Sequence, residues 1–246
     1  MTELGDHDTR VAAATAARRE AFGKLGIVDR DVLAPMIGPA LLGGSRWPTR
    51  PAWRVIHRDG RTAIASDALS DPWDDEFGVG FGLEFWIEAD VPVPVAIGSW
   101  LMAAIHDVSY TAAGHGGVRR MLDELGTISI EIAGRPFPPA LRNEHGRVGV
   151  LLGVPCDLPT WLTLPEGRAR LVPITLLTAS ELAHVVAHGD AGRIEVADVY
   201  KRQVLSCDLI SAPAQRPGRG HCRGCATPRA SRTTTAPRSW MRPTRR

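Results

Sequence analysis

The sequence contains no run of about 18 or more apolar residues, so no membrane-spanning helix is expected. Its first residues, Met-Thr-Glu-Leu-Gly-Asp, lack the basic and then apolar order of a secretory signal peptide. We therefore expect a cytoplasmic protein. The chain has 246 residues, of which 44% are hydrophobic, which is enough to bury a core in one large or two small domains.

Cysteine is scarce, with four residues in the whole chain. Cys207, Cys222 and Cys225 lie near the C-terminus, and Cys156 alone lies in the rest of the sequence. Cys222 and Cys225 have the spacing of half a structural zinc site, but the sequence has no second pair to complete four ligands. We expect no zinc site there and no cofactor elsewhere. Cys156 follows an apolar run, which is typical of a small core residue.

The charge is distributed unevenly along the chain. Residues 1–197 contain 18 basic and 25 acidic residues, a net charge of −7, whereas residues 198–246 contain 11 basic and 2 acidic residues, a net charge of +9. The change falls at Asp-Val-Tyr-Lys-Arg-Gln (198–203), which is identical to one translated reading frame of a transposase mosaic-end sequencing adapter. We interpret residues 198–246 as an adapter-derived or out-of-frame, disordered tail. A genuine basic tail would instead favour nucleic-acid binding.

The periodicity of apolar residues predicts an α+β domain in one or two lobes, with a mixed or antiparallel sheet flanked by helices. An alanine-rich helix is expected within residues 1–28, and a larger domain over residues 29–197. Pro173 interrupts the last long apolar run, which favours an edge strand or a bulge there. Strands are predicted at 53–57, 62–65, 83–89, 127–132, 148–154, 169–176 and 194–196, and helices at 8–25, 97–125 and 178–188.

Residues 66–88 carry the most distinctive pattern. An acidic turn comes first, and three glycines then recur at every second position, which marks a bulge or a close approach of another backbone. The alternation that follows predicts a half-buried strand with one apolar face. The glycines are Gly78, Gly80 and Gly82, the apolar face holds Leu83, Phe85 and Ile87, and the other face holds Glu84, Trp86 and Glu88.

Two segments of this stretch resemble the suppressor of fused family. Residues 68–71, Ala-Leu-Ser-Asp, are similar to the family's Gly-(Leu/Ile)-Ser-Asp motif, with Ala68 where glycine is expected. Residues 80–84, Gly-Phe-Gly-Leu-Glu, are similar to its Gly-Phe-Gly-hydrophobic-Glu motif. The resemblance runs from about residue 47 to residue 196.

The resemblance implies a role in binding a protein or peptide rather than in catalysis. Animal members hold Gli-type transcription factors by adding a peptide strand between two lobes, but they carry a further C-terminal region, so that ligand is not carried over. Bacterial stand-alone members, which this chain resembles, are regarded as immunity proteins that neutralise toxins. The acidic charge of residues 1–197 suits a basic toxin such as a nuclease.

The candidate binding residues lie in and after the acidic turn. Large aromatic side chains beside acids, glycines or prolines often act as binding anchors, as we propose for three tryptophans, Trp73, Trp86 and Trp161. Packing between sheet and helices is the alternative for these tryptophans. The predicted binding residues are Asp71, Trp73, Asp74, Asp75, Phe81, Glu84 and Trp86.

A metal-dependent hydrolase is the alternative function. His184 and His188 are four residues apart, so on a helix they share one face, and Glu181 could add a third ligand. The zincin pattern, however, has glutamate after the first histidine, and Val185 stands there. The acidic run at 71–76 lacks the spacing of an EF-hand loop and is more typical of a solvated turn. We therefore expect neither a metal site nor an enzyme.

Overall fold

One mixed sheet of eight strands organises the residues that the computed structural model describes, which are 6–38, 43–135 and 137–204. The helices are α1 (His7–Gly23), α2 (Trp100–His115), α3 (Val118–Leu125) and α4 (Ala179–Val204), with a short 3₁₀ turn at Pro139–Leu141. The strands are β1 (Ile27–Val28), β2 (Trp53–Arg58), β3 (Arg61–Ser66), β4 (Leu83–Ala89), β5 (Ile128–Ala133), β6 (Arg147–Leu152), β7 (Trp161–Leu164) and β8 (Gly167–Leu176).

The strand order is β1-β2-β3-β4-β8-β6-β5, and β7 also pairs with β8. All pairs are antiparallel except β4 and β8, which run parallel with Leu83 opposite Arg170. The hairpin between β2 and β3 turns at Asp59 and Gly60, whose φ angles of 48° and 75° are those of the tight turn that this dipeptide favours. The predicted α+β class and mixed sheet are confirmed.

Helices cover both faces of the sheet. On one face, Leu101 and Ile105 of α2 pack in the same core as Phe85 of β4. On the other face, Phe22 of α1 packs with Trp86 of β4. The prediction that β4 is half-buried is therefore wrong, because α1 covers the face that carries the alternating polar residues.

β8 is a central strand, so the expectation of an edge strand or bulge at Pro173 is also wrong. Residues 167–170 pair with β7, residues 170–173 with β4, and residues 174–176 with β6. Pro173 lies between the segments that pair with β7 and with β6, and its carbonyl accepts a hydrogen bond from Gly153 N at 2.9 Å. A proline is tolerated where the strand changes partners, since no ladder hydrogen bond is lost there.

Helix α4 extends further than predicted. Thr178 and Glu181 form a reciprocal cap, with Thr178 N donating to Glu181 Oε2 at 2.7 Å and Glu181 N donating to Thr178 Oγ1 at 3.3 Å. The helix bends at Gly189 (φ 56°, ψ −129°) and then continues to Val204, so the strand predicted at 194–196 is wrong. Val196, Ala197 and Tyr200 belong to the same cluster as Leu151 of β6, and the spacing of three and four residues to Tyr200 is that of one helix face. Cys207, Cys222 and Cys225 lie outside the described residues.

Candidate functional site

The two motifs in residues 66–84 meet inside the protein, around the carboxylate of Glu84. Glu84 is fully buried in β4, and its Oε1 accepts hydrogen bonds from Ser70 N at 2.9 Å and from Ser70 Oγ at 2.6 Å. Ser66 donates its hydroxyl to the other carboxylate oxygen and accepts from Phe85 N at 2.8 Å. The Ser-Asp motif and the Glu that ends the Gly-rich motif are thus joined by buried hydrogen bonds.

Arg18 of α1 supplies the positive charge at this point. Its Nε lies 2.7 Å from Asp67 Oδ1 and 3.7 Å from Glu84 Oε1, and its Nη2 lies 2.5 Å from Asp71 Oδ1. Arg54 of β2 contacts the other oxygen of Asp67 at 2.5 Å. We call these five residues, Arg18, Arg54, Asp67, Asp71 and Glu84, the buried ionic cluster.

Burial and charge act against each other in this cluster. Burial raises the pKa of the Glu84 carboxyl, and Arg18 and the two serines oppose that rise. Burial also raises the pKa of Asp71, which Arg18 and Thr49 oppose. Burial disfavours the charge on Arg18, but the three carboxylates outweigh it and raise the pKa of the guanidinium group. Arg18 therefore stays charged, and the cluster holds α1 on the sheet.

Arg18 was missed from the sequence, although a signal for it is present. Ala14, Arg18 and Phe22 are spaced by four residues, and all three are buried on the same face of α1. A cation on the buried face of an alanine-rich helix needs a buried anion as partner. In the folded protein these anions are Asp71 of the Ser-Asp motif and the adjacent Asp67.

Residues 72–81, which follow the first motif and include the first two residues of the second, form a loop at the surface that we call the acidic–aromatic loop. Arg10 of α1 binds the backbone of this loop, because it donates to Trp73 O at 3.2 Å and to Glu76 O at 2.5 Å. Arg10 also pairs with Glu166 at 2.5 and 2.8 Å, and Glu166 accepts from Gly78 N at 2.9 Å. The hydrogen bond from Arg10 lowers the pKa of Glu166.

The conformation of the loop also depends on Gly80. Its φ is 51°, and a Cβ atom there would lie 2.4 Å from Asp71 O and 2.5 Å from Leu69 O. Only glycine fits this position, because both contacts are with backbone atoms. The close approach predicted from the glycine spacing is confirmed at this residue.

The loop presents acidic and aromatic side chains to solvent. Phe77 is 54% exposed, and it was missed from the sequence. The Trp73 ring is partly exposed, lies 5.4 Å from the Phe81 ring and is covered in part by the Arg46 guanidinium at 4.7 Å. The exposed carboxylates of the loop are Asp74, Asp75 and Glu76.

The seven predicted binding residues thus occupy two different places. Trp73, Asp74, Asp75 and Phe81 come together in the acidic–aromatic loop. The other three, Asp71, Glu84 and Trp86, lie beneath it and are at most 2% exposed.

His184 and His188 share one face of α4, with ring centroids 4.2 Å apart. His184 Nε2 lies 2.9 Å from Glu195 Oε2, across the bend of the helix. Glu181 instead accepts hydrogen bonds from Thr178 and Tyr200. Within the described ranges, no three or more histidine, cysteine, aspartate or glutamate residues are grouped so that they could hold a metal ion.

The described residues include no helix with both the length and the apolar character needed to cross a bilayer.

No protein-family model matches the sequence, and no curated protein matches it. Two of the solved structures that are similar to it are suppressor of fused proteins. One is Drosophila suppressor of fused, with a TM-score of 0.46 and 12% identity over 76% of this chain and 46% of that chain. The other is the Sufu–Fu complex, with a TM-score of 0.44 and 12% identity over 76% of this chain and 82% of that chain. This chain therefore spans less than half the length of the Drosophila protein.

Proposed function

We propose that this chain is a non-enzymatic protein-binding domain whose contact surface is the acidic–aromatic loop. In its specific form, the domain is an immunity protein that neutralises a basic toxin in the cytoplasm. The observation that carries the proposal is a loop with exposed carboxylates and aromatic rings, fixed from below by Arg10 of α1.

The fixed backbone of the loop supports this role. Arg10 contacts two loop carbonyls, and Gly78 N donates to Glu166, which is itself paired with Arg10. A binding surface that is already ordered loses little conformational entropy when its partner binds. Trp73 and Phe77 then serve as the aromatic anchors that commonly dominate binding energy.

The charge of the loop indicates the chemistry of the partner. Three exposed carboxylates are consecutive at 74–76, and Arg46, which lies 3.8 Å from Asp75, has a side chain that is 70% exposed. Residues 1–197 carry a net charge of −7. A negative surface of this kind accelerates and orients the association of a basic protein.

The buried members of the predicted set have a different role in this proposal. Asp71 and Glu84 fasten α1 to the sheet through Arg18, and α1 in turn carries Arg10. Trp86 packs against Phe22 of the same helix. These residues keep the loop in position and do not themselves touch the partner.

The proposal is tested by co-expression with the gene that neighbours this one in the source DNA, when that gene arrests growth by itself. The full chain should restore growth, whereas the charge reversal Asp74→Lys, Asp75→Lys and Glu76→Lys should not, because affinity for a basic partner falls by about tenfold or more.

The matched control is Glu20→Lys, Glu124→Lys and Glu144→Lys, which changes the net charge by the same amount at exposed sites away from the loop. This control should still restore growth. Equal rescue by both triple variants, with both folded by circular dichroism, would contradict a contact surface at the loop.

A further inference from the structure

A second, partly exposed surface adjoins the acidic–aromatic loop and has the opposite charge. It consists of Arg119 of α3, Trp161 of β7, and Arg168 and Arg170 of β8, and we call it the arginine–tryptophan patch. The Arg119 and Arg168 guanidinium carbons lie 4.6 and 4.9 Å from the centroid of the Trp161 ring. Such stacking orients guanidinium groups while leaving their N–H edges free to donate.

The patch has more cations than anions. Asp123 accepts from Arg119 Nε at 2.7 Å and lies 3.4 Å from Arg170 Nη1. Arg170 also donates to the carbonyl groups of Leu122 and Gly126. One carboxylate is therefore shared by two of the three arginines.

Arg168 is the arginine that has no carboxylate. Its side chain is exposed, stacks on the Trp161 ring and, among the described residues, makes no ion pair or side-chain hydrogen bond. The Trp161 indole N–H likewise donates to no atom of the described residues. A guanidinium group and an indole N–H that lie together without an acceptor can both donate to one carboxylate.

The two surfaces meet at Gly82. Its carbonyl oxygen accepts from Arg119 Nη1 at 2.7 Å and from Arg170 N at 2.8 Å. The preceding residue, Phe81, contacts Trp73 of the acidic–aromatic loop at 5.4 Å between ring centroids. Two consecutive residues, Phe81 and Gly82, thus connect the two surfaces.

We propose that the arginine–tryptophan patch binds a carboxylate of the same partner, so that the bound segment carries an acidic side chain close to its basic residues. This inference rests on the proposed function, since it assigns the acidic–aromatic loop to the basic part of that segment. Net charge alone would then not select the partner. A uniformly basic surface would place a positive charge against Arg168, and the two like charges would repel each other.

The test uses two synthetic peptides of equal length with amidated C-termini. Both begin with an oligolysine block and a glycine–serine spacer; one ends in two glutamates and the other in two glutamines. Binding to the full chain is followed by the ¹H–¹⁵N cross-peaks of the Trp73 and Trp161 indoles, assigned with Trp73→Phe and Trp161→Phe. This local signal is needed because residues 198–246 carry 11 basic residues that also attract glutamate.

Both peptides should shift the Trp73 peak, and the glutamate peptide alone should shift the Trp161 peak saturably and bind roughly threefold to tenfold more tightly. Arg168→Glu should remove the Trp161 shift and that advantage while the glutamine peptide still binds. Arg168→Lys should keep part of the advantage, because lysine keeps the charge but not the forked geometry. The control Arg120→Glu, at a side chain that is 79% exposed and paired with Glu124, should behave as wild type.

The outcomes separate the two proposals. A Trp73 shift without any Trp161 response to glutamate would overturn this inference and leave the proposed function standing. A Trp161 response without a Trp73 shift would keep the patch and overturn the acidic–aromatic loop as a site for basic partners. A Trp161 shift as large with inorganic phosphate, or one that survives Arg168→Glu, would overturn the assignment to a carboxylate.

Discussion

Two arginines of one helix, Arg10 and Arg18, bind two neighbouring regions that differ in their exposure to solvent and in the groups that the arginine contacts. Arg18 is fully buried and binds side-chain carboxylates of the two motifs, whereas Arg10 binds carbonyl groups and Glu166 at the base of a surface loop. The motif carboxylates are buried and paired with Arg18, whereas the loop carboxylates are exposed to solvent. The motif carboxylates therefore hold the fold, whereas Asp74, Asp75 and Glu76 between the motifs remain exposed to solvent.

The largest expected effect is on the buried ionic cluster. Arg18→Ala leaves three buried carboxylates with Arg54 as their remaining cation, so it should lower the free energy of unfolding by about 3–5 kcal/mol. Urea unfolding followed by tryptophan fluorescence measures this. The neighbouring exposed Arg19→Ala is the control and should change the unfolding free energy by less than about 0.5 kcal/mol. A loss below about 1 kcal/mol for Arg18→Ala would mean that the cluster does not hold α1.

The next effect is expected where the first motif meets the loop. Gly80→Ala places a Cβ atom against two backbone carbonyls at a positive φ, so it should cost about 2 kcal/mol or more. The matched control is Gly38→Ala, where nothing lies within 4 Å of the added Cβ. Similar unfolding midpoints for the two variants would contradict the close approach at Gly80.

A smaller effect is expected from Glu166, and it depends on pH. Because Arg10 lowers the pKa of Glu166 in the folded state, the folded protein binds this proton more weakly than the unfolded chain. The stabilisation is complete above the ordinary glutamate pKa and is lost as the pH falls through the lowered folded value.

Glu166→Gln should therefore cost about 1 kcal/mol at neutral pH, and less as the pH falls below about 4. Parallel urea titrations of both proteins over this range measure the difference. A gap that widens as the solution becomes more acidic would contradict the assigned pairing with Arg10.

The smallest effect on stability is expected in the exposed part of the acidic–aromatic loop. Asp74→Lys, Asp75→Lys and Glu76→Lys should together change the unfolding free energy by less than about 1 kcal/mol, since exposed charges contribute little to folding. Thermal unfolding measures this change. A large loss of stability would show that these carboxylates belong with the fold, and the comparison between the two regions would fail.

Much of the fold was predictable from periodicity, because the strands predicted at 53–57 and 62–65 and the helix predicted within 97–125 have strong local patterns. The burial of both faces of β4 could not be predicted in this way. The face that carries Glu84 has the pattern of a solvent-exposed face, and it is buried because Arg18 of α1 lies against Glu84. The helix over residues 194–196 was misread for a related reason. The alternation of apolar and acidic residues at 194–196 is typical of a strand. The helix is recognised only from its packing against β6.

The candidate site was predictable in part for the same reason. The predicted set includes the exposed Asp74 and Asp75 but omits the exposed Glu76 and Phe77. The division between buried and exposed carboxylates could not be predicted, because Asp71 and Asp74 look alike in sequence and differ in whether Arg18 reaches them. The arginine–tryptophan patch combines residues of α3, β7 and β8, so no local sequence pattern predicts it.

The most direct test of the central claim is a titration of the full chain with an oligolysine peptide, followed at the Trp73 indole by NMR. If the acidic–aromatic loop is the binding surface, the peak shifts saturably in the wild type and in the control with lysine at 20, 124 and 144. The shift is then lost in the variant with lysine at 74, 75 and 76. Equal shifts in the two triple variants, or no shift in the wild type, would contradict the claim.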